Sequence, residues 1–131
     1  MRVFGTDWAK GLAEELGRDP RFGPAARMLR AVVRLEAPRR GLDLILDGGR
    51  VAVRPLDPAD PFDFGLKASQ AAWLELVSQP RTSLNQLVRR GDIELTGDRV
   101  AALLWWKPLF LIAQAARRLE SDLEGSWPTS S

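Results

Sequence analysis

The sequence contains no cysteine, no histidine and no tyrosine. Without cysteine the chain can form neither disulfides nor thiolate metal sites, which permits a reducing compartment. Histidine is the commonest general base near neutral pH, and cysteine and tyrosine are frequent alternatives. The missing residue types therefore favour a protein that binds a ligand over an enzyme.

Clustered basic residues are also lacking, although the isoelectric point is about 9.7. The net charge is only +2, and arginine pairs such as Arg39–Arg40 and Arg89–Arg90 are separated by acidic residues. The isoelectric point is high because almost nothing titrates between the carboxylates and lysine. Nucleic-acid binders normally carry a basic stripe, so we expect no nucleic-acid partner.

Cofactor and targeting signatures are absent from the sequence as well. It contains no phosphate-binding loop, dinucleotide fingerprint or metal-ligand spacing, so we expect neither a cofactor nor a metal. Residues 1–10 hold no apolar segment of signal-peptide length, and we expect a cytoplasmic location.

Length and composition fit a single domain over residues 1–131. A chain with 45% hydrophobic and 27% charged residues can build one core of ordinary size. Residues 1–30 are predicted to form a helical arm. In it, Asp7 is the expected N-cap and Gly17 the expected end of a first helix, and Pro24 lies in the first turn of a second.

From residue 31 the apolar periodicity changes to that of strands. Residues 31–37, 42–46 and 51–53 are β-branched or alternate between apolar and polar types. Asp47–Gly49 lies between the last two and is a hairpin signal, since glycine accepts the positive φ that tight turns require. The pattern predicts an antiparallel meander.

The next part of the chain continues the sheet and inserts two short helices. Strict alternation predicts a fourth strand over residues 62–68. Ser69 is the expected cap of the first helix, and Ser83–Gln86 fits a capping box for the second. Residues 92–96 are predicted as a fifth strand. The sheet region with its inserted helices therefore spans residues 31–96.

The last predicted helix, residues 98–121, has an unusual composition. Asp98 is its expected N-cap, and the apolar run 100–116 is interrupted only by Lys107, Pro108 and Gln114. A surface helix would be polar on about half its circumference, so protein, ligand, partner or lipid must cover this one on nearly all sides. Residues 125–131 are predicted to form a tail.

The element order and several stretches resemble the sterol carrier protein 2 (SCP2) family in its bacterial stand-alone form. The stretches are Leu42–Val53 with its Asp-Gly turn, Phe62–Gln70 leading into a helix with an apolar stripe, and Arg90–Asp98 with its Gly-x-Ile/Leu-x-Ile/Leu-x-Gly-Asp pattern. The resemblance implies an α+β fold with a five-stranded, mostly antiparallel sheet and helices packed on one face. It also implies an apolar tunnel for fatty acids, acyl-CoA, sterols or phospholipids.

Under this resemblance, strand residues and the last helix are the candidates for the tunnel wall. Lys107 is the candidate to hold a carboxylate or phosphate head group. For the aromatic residues of the last helix two other interpretations stay open, namely core packing and an interface with a second copy. The ligand-binding candidates are Phe62, Phe64, Leu66, Trp73, Leu95, Leu103, Trp106, Lys107, Phe110 and Leu111.

A buried carboxylate is the remaining candidate for a catalytic base. Asp43, Asp63 and Glu94 are the positions to consider, but alternation places them opposite the apolar face of the sheet. We therefore expect them to be solvated surface charges, and we expect no catalytic residue.

The leading hypothesis is a non-catalytic carrier of a long-chain fatty acid, acyl, sterol-like or isoprenoid ligand. The alternative is an accessory or scaffold protein, like those of quinone biosynthesis, that uses the last helix to bind a partner protein or to dimerise. Membrane contact is expected to be transient at most. A charge such as Lys107 at the centre of a span costs at least ~2.5 kcal/mol.

Overall fold

The computed structural model describes residues 4–122, without the side chains of residues 120–122; the predicted tail 125–131 lies outside the described residues. The helices are α1 Thr6–Arg18, α2 Phe22–Ala25, α3 Gln70–Ser78, α4 Leu84–Arg90, α5 Arg99–Leu104 and α6 Trp106–Asp122. The strands are β1 Arg30–Ala37, β2 Arg40–Asp47, β3 Arg50–Pro55, β4 Phe64–Ala68 and β5 Ile93–Gly97.

The strands form one five-stranded sheet in the order β3-β2-β1-β4-β5. Neighbouring strands are antiparallel except β1 and β4, which run parallel. A parallel pair needs a crossover, and here the β2–β3 hairpin and the proline-rich loop after it provide the connection. The predicted α+β architecture with a mostly antiparallel sheet is confirmed.

The β2–β3 turn forms as the sequence predicts. Gly48 and Gly49 have φ of 62° and 98°, so both central residues of the turn lie in the left-handed region. Two positive φ values define the type I′ turn, whose twist matches that of the flanking strands. This turn fixes the register in which Leu44 pairs with Val53.

The two faces of the sheet differ sharply in chemistry. One face presents buried aliphatic and aromatic residues, among them Val33, Leu44 and Leu66, to the helical layer. Helix α6 lies centrally in that layer and contacts α1, α2 and α3. The opposite face carries Arg34 and Asp43, which are nevertheless also buried.

Helix α1 begins earlier and ends later than predicted. Its N-cap is Gly5, and Asp7 lies in the first turn, where its charge is still favourable at the helix N-terminus. The helix passes through Gly17 and ends at Arg18, with Asp19 in an extended conformation. The proline that follows Asp19 disfavours a helical conformation at that residue, and this explains the end better than the glycine does.

The predicted single helix over residues 98–121 is two helices. Asp98 caps α5 as expected, because its Oδ1 accepts a hydrogen bond from the Ala101 amide at 3.0 Å. The helical pattern breaks at Trp105 and resumes at Trp106. Pro108 has no amide hydrogen to donate to the Leu104 carbonyl, and its ring clashes with that carbonyl in a continuous helix. In the observed structure Pro108 lies in the first turn of α6, where a missing donor costs little.

None of the helices in the described part of the chain has both the length and the apolar character needed to cross a bilayer.

Candidate functional site

The structure divides the sequence-predicted ligand residues among separate places. Phe64, Leu66, Trp73, Leu95 and Leu111 lie in the core between the sheet and the helices. Leu103 and Trp106 line an open groove on the surface. Lys107 is exposed beside them, and Phe110 is half-buried one turn further along α6. Phe62 lies outside the strand on the opposite face of the sheet.

The core group is tightly packed. Each of its side chains is 7% exposed or less. Trp73 also satisfies its polar atom internally, because its Nε1 donates a hydrogen bond to the Glu36 carbonyl at 2.8 Å. Its ring packs edge-to-face against Phe4 with centroids 5.4 Å apart. In the observed conformation these residues belong to the core.

Phe62 does not share a face with Phe64 and Leu66, contrary to the prediction from alternation. Strand β4 begins only at Phe64, so the two-residue period does not extend back to Phe62. Its ring instead covers the guanidinium of Arg34, whose Cζ lies 4.3 Å from the ring centroid. A cation–π contact with a buried guanidinium explains this placement.

The groove lies between α4 and the junction of α5 and α6. Its lining residues are Asn85, Val88, Arg89, Leu103 and Trp106, and its volume is about 330 Å³. The Trp106 Nε1 donates a hydrogen bond to the Asn85 Oδ1 at 3.2 Å, which holds the indole against α4. The groove therefore combines an apolar wall with one cation, Arg89. Its volume is at the lower end of the range for small-molecule sites.

The apolar run of the last predicted helix is covered over only part of its length. In α6 most apolar side chains, including Leu109 and Ile112, are buried by the helical layer. In α5, Val100, Leu103 and Leu104 are 77%, 62% and 75% exposed. The uncovered apolar surface is thus concentrated on α5, next to the groove.

The sequence pattern does not predict the α4 side of the groove. Asn85, Val88 and Arg89 are spaced three and four residues apart, so they share one helix face. Leu84 and Leu87 on the neighbouring face are fully buried. The signal was present in this spacing, but nothing in the sequence shows that this face meets Leu103 and Trp106.

A second cavity of about 280 Å³ lies between the start of α1 and the edge formed by β2 and β3. Phe4, Ala9 and Val53 contribute apolar walls, and Lys10 and Arg54 contribute cations. Arg54 is already engaged with Asp43. None of the sequence-predicted ligand residues lines this cavity.

Asp43 is not the solvated surface charge that alternation predicts. It does lie opposite the apolar face, but it is completely buried. The Arg34 Nε donates to its Oδ1 at 2.8 Å, and the Arg54 guanidinium donates to its Oδ2 at 2.7 Å. Arg34 also donates to the carbonyls of Asp57 and Asp60, so the loop after β3 closes over this cluster.

The Asp43 cluster stabilises the fold, and the charges around Asp43 disfavour its action as a catalytic base. Burial alone raises the pKa of Asp43, but the hydrogen bonds and charges of Arg34 and Arg54 outweigh burial and hold this pKa below its usual value. A base that works near neutral pH needs the opposite shift. Within residues 4–122, no group of three or more acidic side chains could hold a metal ion.

A second carboxyl with a lowered pKa links the helical arm to α6. Hydrogen bonds from Arg21 to Asp19 lower the pKa of this carboxyl, and the Arg118 guanidinium lies 3.4 Å from its Oδ2. Arg118 also donates to Glu15 of α1 at 3.1 Å. Ion pairs therefore join α1 to α6 beside their apolar contact.

We expect stability to fall in acid and to be nearly flat from about pH 5 to about pH 8, where few groups titrate. Because the pKa values of Asp19 and Asp43 are lower in the folded state, their stabilisation is fully present above the unfolded value of about 3.9. It is lost as the pH falls through the folded-state values. Urea unfolding at a series of pH values measures this loss, and Asp43→Asn should reduce it. Stability that rises on acidification would contradict the assignment.

Comparison with known proteins finds similarity at the level of the fold. No protein-family model and no curated protein matches the sequence. A crystal structure of sterol carrier protein 2 matches with a TM-score of 0.72 and 22% identity, covering 88% of this chain and 97% of that one. A conserved hypothetical protein from Thermus thermophilus, described as possibly a sterol carrier protein, matches with a TM-score of 0.71 and 21% identity, covering 88% of each chain.

A third solved structure, the ubiquinone synthesis protein UbiJ-SCP2, matches with a TM-score of 0.56 and 24% identity over 87% of this chain and 88% of that one. The chain is thus an α+β domain with a mostly antiparallel sheet covered by helices on its apolar face. More particularly, it has the sterol carrier protein 2 fold.

Proposed function

We propose that this domain binds the hydrocarbon chain of a lipid, without catalysis, in the groove between α4 and the α5–α6 junction. The observation that carries the proposal is the open apolar groove itself, with Leu103 and Trp106 on its wall, in a domain of the sterol carrier protein 2 fold. Contiguous patches of exposed apolar side chains often mark binding sites.

The chemistry of the groove fits an amphiphile with an anionic head group. Val88, Leu103 and the Trp106 ring offer apolar contact, and Arg89 stands at the same groove. Arginine binds carboxylates and phosphates through paired hydrogen bonds. In this proposal Arg89, with the exposed Lys107 nearby, holds the head group while the chain lies along Leu103 and Trp106.

A groove of about 330 Å³ holds only part of a long chain. In our proposal the remainder of the chain extends beyond the groove. The core group of Phe64, Leu66, Trp73, Leu95 and Leu111 then supports the sheet and helices and does not touch the ligand.

Ligand affinity is expected to rise with chain length until the groove is filled. Each buried methylene contributes about 0.8 kcal/mol, or roughly fourfold in affinity. Displacement of a fluorescent fatty acid by the series from octanoate to stearate measures this slope. Leu103→Ser should weaken binding by about tenfold or more, since it removes a groove wall and leaves a hydroxyl there.

The matched control is Leu104→Ser. Leu104 is the next residue, lies on the same short helix and is 75% exposed, but it does not line the groove. We expect its affinity for short and medium chains to equal that of the unmodified protein. Saturable binding that is indifferent to chain length, or equal loss in both variants, would show that the groove is not the site.

The second candidate function is a scaffold that binds a partner protein or a second copy of itself. The exposed apolar residues of α5 and the similarity in fold to UbiJ-SCP2 favour it. Native mass spectrometry of the purified protein and light scattering separate the two functions. A monomer that retains a lipid supports the carrier, and a stable oligomer without lipid supports the scaffold.

A further inference from the structure

The outer face of α5 carries an apolar patch with cations around it. Val100, Leu103 and Leu104 are spaced three and four residues apart, so they lie side by side on the helix surface. Arg99 precedes the patch, Lys107 follows it, and Arg89 approaches it from α4 through the groove that it shares with Leu103. All these cations are exposed.

The cations around this patch form no ion pair with the described residues. In the part of the chain that the structure describes, Arg89, Arg99 and Lys107 form no ion pair. Asp92 pairs with Arg90 at 2.6 Å, and the carboxylate of Asp98, which precedes Arg99, caps α5. Among the described residues, three cations against the one carboxylate of Asp98 leave the surface next to the apolar side chains with a positive net charge.

We propose that α5 is a membrane-docking element for anionic bilayers. Val100, Leu103 and Leu104 enter the boundary between head groups and acyl chains, and Arg89, Arg99 and Lys107 contact anionic head groups. The surrounding cations favour an anionic bilayer over a second copy of the chain. Apolar residues with cations around them complement an anionic lipid surface, whereas a second copy would bring the same cations together. The docking goes beyond the proposed lipid binding, since Val100 and Leu104 do not line the groove.

Vesicle flotation tests this proposal with phosphatidylcholine vesicles that contain either no anionic lipid or roughly 30% phosphatidylglycerol. We expect binding to the anionic vesicles, weaker binding to the neutral ones, and a decrease in binding as salt screens the cations. The double variant Val100→Ser with Leu104→Ser should lose about tenfold or more of the partition coefficient. Arg99→Gln and Lys107→Gln should each lose about fivefold, and only on anionic vesicles.

Met28→Ser is the matched control, because Met28 is 81% exposed but lies between α2 and β1. It should bind vesicles like the unmodified protein. The proposal is overturned if the protein does not bind anionic vesicles, or if the Val100/Leu104 double variant binds them as well as the unmodified protein does. A concentration-dependent dimer abolished by that double variant, without vesicle binding, would assign the patch to a second copy. Fatty-acid displacement in free solution reports on the groove separately, so the two proposals can fail independently.

Discussion

Asp43→Ala is expected to lower the free energy of unfolding by about 3–5 kcal/mol, a large share of the stability of a domain this size. The carboxylate is the shared acceptor for Arg34 and Arg54, and Arg34 is itself only 4% exposed. Removing it leaves a guanidinium buried without its counter-charge. Asp43→Asn should be nearly as costly, because it preserves the shape but not the charge. Urea unfolding monitored by circular dichroism gives both values.

Glu94→Ala is the control for this experiment. Glu94 lies on the same polar face of the sheet, but it is exposed, so its removal should change stability by no more than about 0.5 kcal/mol. If Asp43→Ala also cost less than about 1 kcal/mol, the buried cluster would not be the structural element described above.

Trp73→Ala is expected to cost about 3–5 kcal/mol, because it empties a large buried site in α3 and removes the hydrogen bond to the Glu36 carbonyl. Trp73→Phe keeps most of the packing and should cost about 1–3 kcal/mol through the unpaired carbonyl and the smaller ring. The measurement is again the free energy of unfolding. Lipid affinity of Trp73→Phe, which retains the core, should be unchanged.

Trp106→Ala is expected to have the opposite effects on stability and on lipid binding. Trp106 is half-buried and lines the groove, so its removal should cost clearly less stability than Trp73→Ala but weaken lipid binding. If Trp73→Phe weakened lipid binding more than Trp106→Ala did, the ligand would occupy the space between sheet and helices, and the assignment to the groove would be wrong.

Local signals account for the parts of the fold that the sequence predicts well. Gly48 and Gly49 determine the hairpin by their positive φ, and Ser83 with Gln86 forms the capping box that begins α4. Each depends on residues within a few positions of one another. Such features can be predicted from the sequence because the residues that stabilise them lie within one short segment.

Features that depend on distant residues were not predictable in this way. Asp43 lies at a position that the alternating pattern assigns to solvent. It is buried only because the loop after β3 folds back over it. Phe62 continues the alternation of β4 in the sequence, but its ring packs on Arg34 at the other face. The α4 wall of the groove likewise depends on contacts between segments far apart in sequence. Tertiary packing overrides the local pattern at each of these places.

The most direct test of the lipid-binding groove is a proton–nitrogen NMR titration that follows the tryptophan indole N–H signals as a fatty acid is added. The Trp106 N–H, bonded to Asn85 in the groove, should shift progressively and saturate. The Trp73 N–H, bonded to Glu36 in the core, should stay in place. Trp106→Phe and Trp73→Phe assign the two signals. A shift of the Trp73 signal with the Trp106 signal unmoved would contradict binding in the groove and place the ligand inside the core.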